Sequence, residues 1–512
     1  MKLKQIFRAH FDLILGFLFF VSYRYYFTWI LWRGRGVPPE PDDSYFYLSS
    51  AARVFSPQNF EDFRLLSFSL YLKLISFLTQ TGLEVAYQIN FYIGPVLIFA
   101  CLAYFLYKLE VSKKIRLLLF IMLTLYSGSG SYHGFYWVVP SFYQLALFFV
   151  MLTLVIDQKP IMIKNALPVS LAFIFIHPTS IFVSFIFIIY PFVLSFVRKK
   201  LSIINLKNTA VICAALIISY LIYFLLGLNF PHADSPESFQ TSVNLVFDFF
   251  SGKLKPSSFP VIWHEYFSIL FVNTITTAAY FAMFFFVYRI KQYKILAIYV
   301  STLLLVLVSS FLPYGWRTLG FLWPITFILV GYSFVGLYTT LKTYSPALKS
   351  LALLAIVVLI FLTTSFNLIL IKSLNARNNY NWDRSCVSEI IDKNVFFYSH
   401  ESMNAFTLHG LNPNRALLMT QDKWEKILKE GSYVINIETL KNKRESLSSL
   451  ENLLTSKITR RYLTVNPPLA SNAWTTRVVL PDEVDNALAT KGLEGRIVKN
   501  CGHFRIYKIN LK

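Results

Sequence analysis

The sequence has few charged residues and few cysteines. Only 15% of its 512 residues are Asp, Glu, Lys or Arg, and acids are the scarcer kind, with 27 acids against 48 bases. Hydrophobic residues make up 55%, aromatic residues make up 18%, and the mean hydropathy is +0.52. Such a composition excludes an ordinary soluble globular protein. It indicates a mainly α-helical protein that crosses a membrane many times.

The motifs of several enzyme classes are absent as well. The sequence holds no Cys-x-x-Cys, HExxH, Walker or GxGxxG element of useful specificity. This argues against structural zinc, ATP-driven transport and soluble nucleotide-sugar chemistry. The formal net charge of +21 does not indicate nucleic-acid binding, because the Lys and Arg residues fall in short clusters between apolar runs. Such clusters are typical of loops that stay on the cytoplasmic side of a membrane.

The apolar runs predict about eleven membrane spans. These lie at residues 10–31, 84–107, 116–128, 140–156, 165–177, 178–197, 208–229, 264–288, 295–312, 319–340 and 350–371. With the N-terminus inside, every predicted inner loop is basic, so the charges determine the orientation. We expect an integral protein of a bacterial inner membrane. Residues 1–371 form its predicted transmembrane domain, and residues 372–512 form a predicted extracytoplasmic (periplasmic) domain.

Two apolar regions do not clearly indicate how many membrane spans they contain. The spans that meet at His177-Pro178 are short, and the proline would break or kink a continuous helix. Residues 60–80 are apolar enough to be read as a further span. Counting them as a span would turn the later basic clusters to the outside. We therefore do not count residues 60–80 as a span.

The polar residues 372–512 predict a small α/β domain. Strands are predicted at 394–398, 415–420 and 432–437, alternating with helical patterns at 422–429 and 440–457. Cys386 and Cys501 flank this domain, and an oxidising outer compartment would allow them to form a disulfide; two unpaired thiols are the alternative. Cys101 and Cys213 fall in apolar spans, where we expect inert packing residues.

The predicted topology places the unusual polar residues on one side of the membrane. Asp42 and Asp43 lie in the first outer loop, within Glu40-Pro41-Asp42-Asp43. Arg317 lies at the outer boundary between the spans at 295–312 and 319–340. The other candidates in outer loops or at span ends are His133, His177, His232, Asp234, Glu237, His264 and Glu265. Because carboxylates beside a bilayer are costly and usually functional, this side holds the predicted site.

A carboxylate and a guanidinium at one membrane surface suit group transfer from a lipid phosphate. The carboxylate can deprotonate an acceptor hydroxyl as a general base, while the guanidinium holds the departing phosphate in two-point contact. A sugar on a polyprenyl phosphate is such a donor, with its tail in the bilayer. Inverting transfer requires the base, the sugar carbon and the leaving phosphate to be aligned. A second carboxylate could stabilise the sugar ring charge or bind a divalent cation.

The stretch Glu40-Pro41-Asp42-Asp43, with a tyrosine after it, resembles a motif of the C-type (GT-C) glycosyltransferase superfamily. It is similar to the pattern of bacterial aminoarabinose transferases and protein-mannosyltransferase-like enzymes, which use lipid-phosphate sugars. The resemblance implies a GT-C-like membrane fold and Asp42 as the catalytic base. Asp43 stands where the family has Glu, and either shares this task or binds metal. The resemblance also implies that residues 60–80 form a helix lying on the outer surface after the catalytic loop, as such enzymes have.

The resemblance extends to a late span. Arg317 followed by Trp323-Pro324 looks like the arginine-then-proline arrangement of several such families. We assign Arg317 and His177 to the donor phosphate. The remaining candidates are assigned to substrate binding: His133, His232, Asp234, Glu237, His264 and Glu265. The expected partners are a polyprenyl-phosphate-linked sugar, a glycan, lipid or protein acceptor, and the bilayer.

Structural explanations compete with these assignments. Asp42 and Asp43 could form a solvated turn that caps a helix beginning near Ser44. Arg317 could be an interface anchor with its head in the headgroup layer. A lone histidine such as His177 commonly satisfies a backbone carbonyl.

Two other functions share the membrane plan. A secondary transporter or flippase of lipid-linked sugars would hold its charges near the bilayer midplane, often within internal repeats, and the sequence has neither feature. A polysaccharide polymerase or ligase typically relies on a large outer loop between late spans, whereas the bulky outer part here is C-terminal.

Overall fold

The computed structural model of the chain describes a defined set of residues. These are 2–32, 41–55, 65–124, 140–157, 159–177, 179–199, 203–226, 291–309, 318–341, 385–397, 406–412, 415–418, 428–437, 488–501 and 504–512, with the single residues 347, 350, 354 and 403.

The first four helices follow the apolar runs of the sequence. Helix α1, Lys2–Trp32, bends at His10, where the backbone angles leave the helical region (φ −130°, ψ 23°). Helices α2, α3 and α4 are Pro41–Ala52, Leu66–Thr79 and Leu83–Lys108. Helix α3 falls within the stretch predicted to form a surface helix. Its apolar side packs against α2, α4 and a later helix, so at least part of it is buried in protein.

Within the described residues, seven further helices belong to the bundle. They are α5 (Lys113–Thr124), α6 (Pro140–Ile156), α7 (Ile163–Ile176), α8 (Ser180–Arg198), α9 (Ile203–Leu225), α10 (Tyr293–Ser309) and α11 (Leu319–Leu341). Helices α7 and α8 are separate, because His177 has extended backbone angles (φ −159°, ψ 137°). Proline lacks an N–H and disfavours a helical residue before it. The predicted break at His177-Pro178 is therefore confirmed.

These helices make the chain a membrane protein. By length and composition, α4, α8 and α9 can each cross a membrane. Helices α3, α6, α7 and α10, and part of α11, are shorter apolar helices. The count of about eleven spans remains a prediction. The predicted span at 264–288 lies outside the described residues, as does nearly all of the one at 350–371.

Among the described helices, nine form a closed ring of contacts: α1 contacts α4, α4 contacts α3, α3 contacts α7, and α7 contacts α9; α9 then contacts α8, which leads through α10, α11 and α5 back to α1. Helix α6 packs against α4, α7, α8 and α9 of this ring. Nearly every residue of α6 is buried. Its Phe148 ring lies 5.8 Å from Phe187 of α8 and 5.1 Å from Phe321 of α11, centroid to centroid. Helix α6 is thus the central packing element of the described bundle.

Polar contacts between helices gather at two opposite ends. The Lys108 end has the ion pairs Asp12–Arg116, Lys108–Asp157 and Glu110–Lys294. The Glu84 end has the contacts Tyr25–Tyr92, Arg24–Thr124 and Glu84–His409. Each contact joins two residues that the predicted alternation of spans places towards the same side of the membrane. The sequence topology therefore agrees with the way the helices pack, while the side of the membrane that each end faces remains a prediction.

The C-terminal part forms a mixed five-stranded sheet. The strands are β1 (Val395–Phe397), β2 (Ala416–Leu418), β3 (Tyr433–Ile437), β4 (Leu493–Cys501) and β5 (Phe504–Leu511), in the order β2-β1-β3-β5-β4. Strands β2, β1 and β3 are parallel, whereas β5 pairs antiparallel with β3 and β4. The three predicted strands are confirmed, and the β4–β5 hairpin is additional. The predicted helix at 440–457 lies outside the described residues, as does most of the one at 422–429.

A disulfide and a hydrogen bond between His409 and Glu84 hold this sheet in place. Cys386, in the short helix α12 (Cys386–Ile390), is bonded to Cys501 at the end of β4. His409 Nε2 lies 3.1 Å from Glu84 Oε1 at the start of α4. Apolar residues of the sheet, such as Phe397 and Ile435, join the same hydrophobic core as the helices. The sheet is therefore packed on the Glu84 end of the bundle.

Replacing both Cys386 and Cys501 by serine is expected to lower the stability of the sheet. The disulfide joins residues 115 positions apart, and a loop of that length is worth about 4–5 kcal/mol in the chain-entropy model. Thermal unfolding of the purified protein, followed by protease sensitivity of the C-terminal part, measures the loss. The control replaces Cys101 and Cys213, which form no disulfide, by alanine. An unchanged midpoint in the serine variant would contradict the expectation.

Candidate active site

Asp42 and Asp43 lie in the first turn of α2. The helix begins at Pro41, three positions before the start near Ser44 that the sequence predicted. Proline suits the first position of a helix because its missing N–H has no helical partner there and its φ is already helical. Carboxylates in the first turn also interact favourably with the helix dipole. Both acids are therefore part of an ordered element.

Helix α2 is fixed by aromatic and apolar contacts. Tyr47, five positions after Asp42, packs edge-to-face on Phe68 of α3 with 5.6 Å between ring centroids. Leu48 and Ala51 are fully buried. Since α2 also contacts α4, two neighbouring helices determine where the turn that carries the acids lies.

A polar cluster joins α3, α4 and α6 behind α2. The hydroxyl oxygens of Tyr71 and Tyr143 are 2.8 Å apart and share a hydrogen bond, and Tyr143 also donates to Oδ1 of Asn90. Phe68 links this cluster to α2, because its ring lies 5.7 Å from that of Tyr143. Asn90 is completely buried. Tyr143 lies in the first turn of α6 and Asn90 in the second turn of α4, so the cluster belongs to the Glu84 end.

A second polar network surrounds the break between α7 and α8. Gln144, the neighbour of Tyr143, donates through Nε2 to Thr179 Oγ1 at 3.0 Å and to Ser180 Oγ at 2.8 Å. His177 Nδ1 lies 2.8 Å from Thr179 Oγ1 and accepts a hydrogen bond from the Thr179 backbone N–H at 3.3 Å. A ring nitrogen that accepts carries no proton, so Nε2 carries the proton of this imidazole. The break is held in one conformation by these bonds.

His177 is the one binding candidate from the sequence whose side chain the structure describes. It is 9% exposed and is engaged through Nδ1 in the network above. For Asp42 and Asp43 the structure describes the backbone. His133, His232, Asp234, Glu237, His264, Glu265 and Arg317 lie outside the described residues.

A hydrogen bond joins the described residues on either side of the connection that contains Arg317. The next residue, Thr318, shares a hydrogen bond of 2.7 Å between its Oγ1 and Oγ of Ser309. That contact joins the end of α10 to the start of α11. The ends of the 310–317 connection, in which Arg317 lies, are therefore held together.

Sequence reasoning missed the tyrosine–asparagine cluster and the Gln144 network. The available signal was an amide within an apolar run, as at Asn90 and Gln144, because polar groups in such runs are costly and need partners. The tyrosines gave no signal of their own among 31 in the chain. Within the described residues, no group of three or more His, Cys, Asp or Glu side chains could hold a metal ion.

No protein-family model matches the sequence, and no curated protein matches it. Among solved structures, the fold is similar to the crystal structure of the Archaeoglobus fulgidus oligosaccharyltransferase in complex with Zn and sulfate, with a TM-score of 0.51 and 10% sequence identity. The similarity covers 80% of this chain and 62% of the archaeal chain. The chain thus spans less than two thirds of that enzyme. The similarity shows that the two chains share a fold.

Proposed function

We propose that the protein is a membrane glycosyltransferase of the GT-C type. It moves a sugar from a polyprenyl-phosphate donor to an acceptor on the extracytoplasmic side, with inversion at the sugar carbon. The observation that carries the proposal is Pro41-Asp42-Asp43 as the first turn of α2, directly after the first long helix, in a chain with a GT-C-type fold. The fold similarity supports the class of enzyme, and the acidic turn supports the location of the chemistry.

Asp42 acts as the general base in this proposal. Its carboxylate takes the proton of an acceptor hydroxyl while the hydroxyl oxygen bonds to the anomeric carbon. The bond between that carbon and the donor phosphate oxygen breaks, and its electron pair leaves with polyprenyl phosphate. A carboxylate in the first turn of a packed helix is suited to this task, because alignment of base, carbon and leaving group requires a fixed position.

Arg317 and His177 are proposed to hold the leaving phosphate. A guanidinium offers two parallel N–H donors to phosphate oxygens. His177 can contribute only through Nε2, since Nδ1 is engaged with Thr179. The substrate-binding assignments of His133, His232, Asp234, Glu237, His264 and Glu265 remain proposals of the same kind, without a described geometry.

A divalent cation fits the donor set at the start of α2. Asp42 and Asp43 supply oxygen ligands of the kind that such cations prefer, and Asp43 is the proposed ligand. A bound cation would stabilise negative charge on the donor phosphate. The archaeal oligosaccharyltransferase structure holds Zn, which makes the test of metal dependence worthwhile.

The architecture proposed with this function has two domains. Residues 1–371 bind the lipid-linked donor within the membrane, and residues 372–512 form a periplasmic domain over the Glu84 end. The His409–Glu84 contact supports this placement. We propose a bacterial inner membrane as the location, with the Lys108 end in the cytoplasm, because basic loops are retained there.

The decisive experiment is reconstitution into liposomes with polyprenyl-phosphate sugars. Release of polyprenyl phosphate that depends on an added acceptor would support the enzyme. Movement of the intact donor across the bilayer without bond cleavage would instead favour a flippase, and would overturn the proposal. Addition of a chelator to the same assay tests the cation.

Replacing Arg317 by alanine is expected to weaken use of the donor. The KM for polyprenyl-phosphate sugar should rise by about tenfold or more, because a charge-assisted contact to phosphate is lost. The KM of Arg317→Lys should lie between that of the unchanged protein and that of Arg317→Ala, since lysine keeps the charge and loses the two-point contact. Arg496→Ala, at an exposed position in β4, is the control. An unchanged KM in Arg317→Ala would return this residue to the role of an interface anchor.

A further inference from the structure

A groove lies between α8 and α10 at the Lys108 end of the bundle. It encloses about 660 Å³ and is lined by Phe192, Ser195, Phe196, Val197, Lys199 and Leu296. Four of these residues belong to the end of α8, Lys199 caps that helix, and Leu296 lies in the first turn of α10. The groove is remote from the acidic turn of α2, which lies towards the Glu84 end.

The walls of this groove are apolar and open to the surroundings. Phe192 is 61% exposed and Phe196 is 85% exposed. Since α8 is long and apolar enough to cross a membrane, side chains in its last turns face acyl chains near a membrane surface. Aromatic walls at this depth favour a hydrocarbon chain over water.

A positively charged residue, Lys199, lies at the end of the same groove. Lys199 caps α8 in the left-handed conformation (φ 52°), with its backbone N–H directed to the carbonyls of Phe196 and Ser195. Its position is thus fixed where the span ends, at the level of lipid headgroups. No carboxylate among the described residues forms an ion pair with Lys199, and the exposed Arg198 adds a second positive charge.

The start of α10 forms the opposite wall, and its partial positive charge offsets the partial negative charge at the C-terminal end of α8, so that the net positive charge of the groove comes from Lys199 and Arg198. Leu296 lies in the first turn of α10, and the leading N–H groups of a helix have no partners within the helix. They give its start a partial positive charge that attracts phosphate. The groove therefore combines a slot for an acyl chain with an electropositive headgroup region.

We propose that this groove binds one anionic phospholipid. An acyl chain lies along Phe192 and Phe196, and the phosphate is placed between Lys199 and the start of α10. Neutral phospholipids fit the apolar part equally well but gain less from the two cations, so the site distinguishes lipids by headgroup charge. The proposal does not depend on the glycosyltransferase assignment or on which side of the membrane the groove faces.

Native mass spectrometry of the detergent-purified protein tests this proposal. The protein is incubated with an equal mixture of phosphatidylglycerol and phosphatidylcholine, and the bound lipids are counted. We expect preferential retention of one phosphatidylglycerol. Lys199→Gln should reduce its retention about fivefold, the effect of one lysine near an anionic headgroup. Ser195→Trp, which fills the groove without a change in charge, should reduce binding of both lipids.

Lys114→Gln is the matched control, because Lys114 is an exposed lysine in the first turn of α5 that does not line the groove. It should retain lipid as the unchanged protein does. Equal losses in the two lysine variants would indicate a general surface charge and overturn the proposal, as would the absence of headgroup preference. Displacement of phosphatidylglycerol by millimolar inorganic phosphate would also overturn it, since the site would then bind the anion alone. Size-exclusion profiles establish that each variant is folded.

Discussion

The variant Asp42→Asn is expected to lose most sugar transfer, by a factor of about 10²–10⁴, while it folds and inserts normally. Asparagine has nearly the same volume as aspartate, but its amide cannot take the proton of the acceptor hydroxyl. Asp42 lies in the first turn of α2, where either residue suits a helix start. The measurement is the release of polyprenyl phosphate by the reconstituted protein, with donor and acceptor in excess.

A matched control separates the loss of a base from the loss of a charge. Asp392 is an exposed aspartate after α12, and Asp392→Asn should keep full activity. Asp43→Asn in the same series tests whether the neighbouring acid shares the task or serves as the cation ligand; in the latter case a higher metal concentration should partly restore activity. Full activity in Asp42→Asn would move the catalytic assignment to another residue.

The second large effect concerns stability. Arg116→Met is expected to destabilise the protein by about 3–5 kcal/mol, because it leaves the carboxylate of Asp12 buried without its partner. The Arg116 guanidinium pairs with Asp12 between α5 and α1, and the two side chains are only 10% and 1% exposed. The Arg116 Cζ also lies 5.7 Å from the Tyr107 ring centre. The midpoint of detergent-induced unfolding, followed by tryptophan fluorescence, measures the change.

The double variant Asp12→Asn with Arg116→Met should recover much of the lost stability, because neither charge is then buried alone. Arg496→Met provides the exposed comparison: Arg496 and Glu494 pair within β4 with side chains 73% and 32% exposed, and this change should cost less than about 1 kcal/mol. If the Arg116→Met and Arg496→Met variants unfolded at the same midpoint, the buried ion pair between α1 and α5 would contribute no more to stability than the exposed pair in β4.

The sequence was sufficient to predict the helices and strands that are marked by a local run of apolar residues. The apolar runs predicted most helices of the bundle, the proline predicted the break at His177-Pro178, and short apolar runs predicted β1 to β3. The β4–β5 hairpin was missed because charged residues such as Arg496 and Lys499 interrupt its apolar positions. Its stability comes from pairing with β3 and from the Cys386–Cys501 disulfide. Such tertiary contacts have no periodic signal in the sequence.

Some residues of the candidate site could be predicted from the sequence and others could not. Asp42 and Asp43 could be found because acids are rare beside apolar runs. The cluster of Tyr71, Asn90 and Tyr143 could not, since its members come from three helices and each residue alone is unremarkable. Its existence depends on the packing of α3, α4 and α6, which is a property of the assembled bundle.

The strand order of the C-terminal sheet has a consequence for biosynthesis. Strand β5 pairs with β3, although the two are separated by more than sixty residues of chain, and it lies between β3 and β4. Until the ribosome has made residues 504–511, the edge of β3 stays open to any passing strand. A nascent polypeptide stalled before that point would expose this edge after its helices have inserted. Such an intermediate is a natural substrate for chaperones and quality-control proteases.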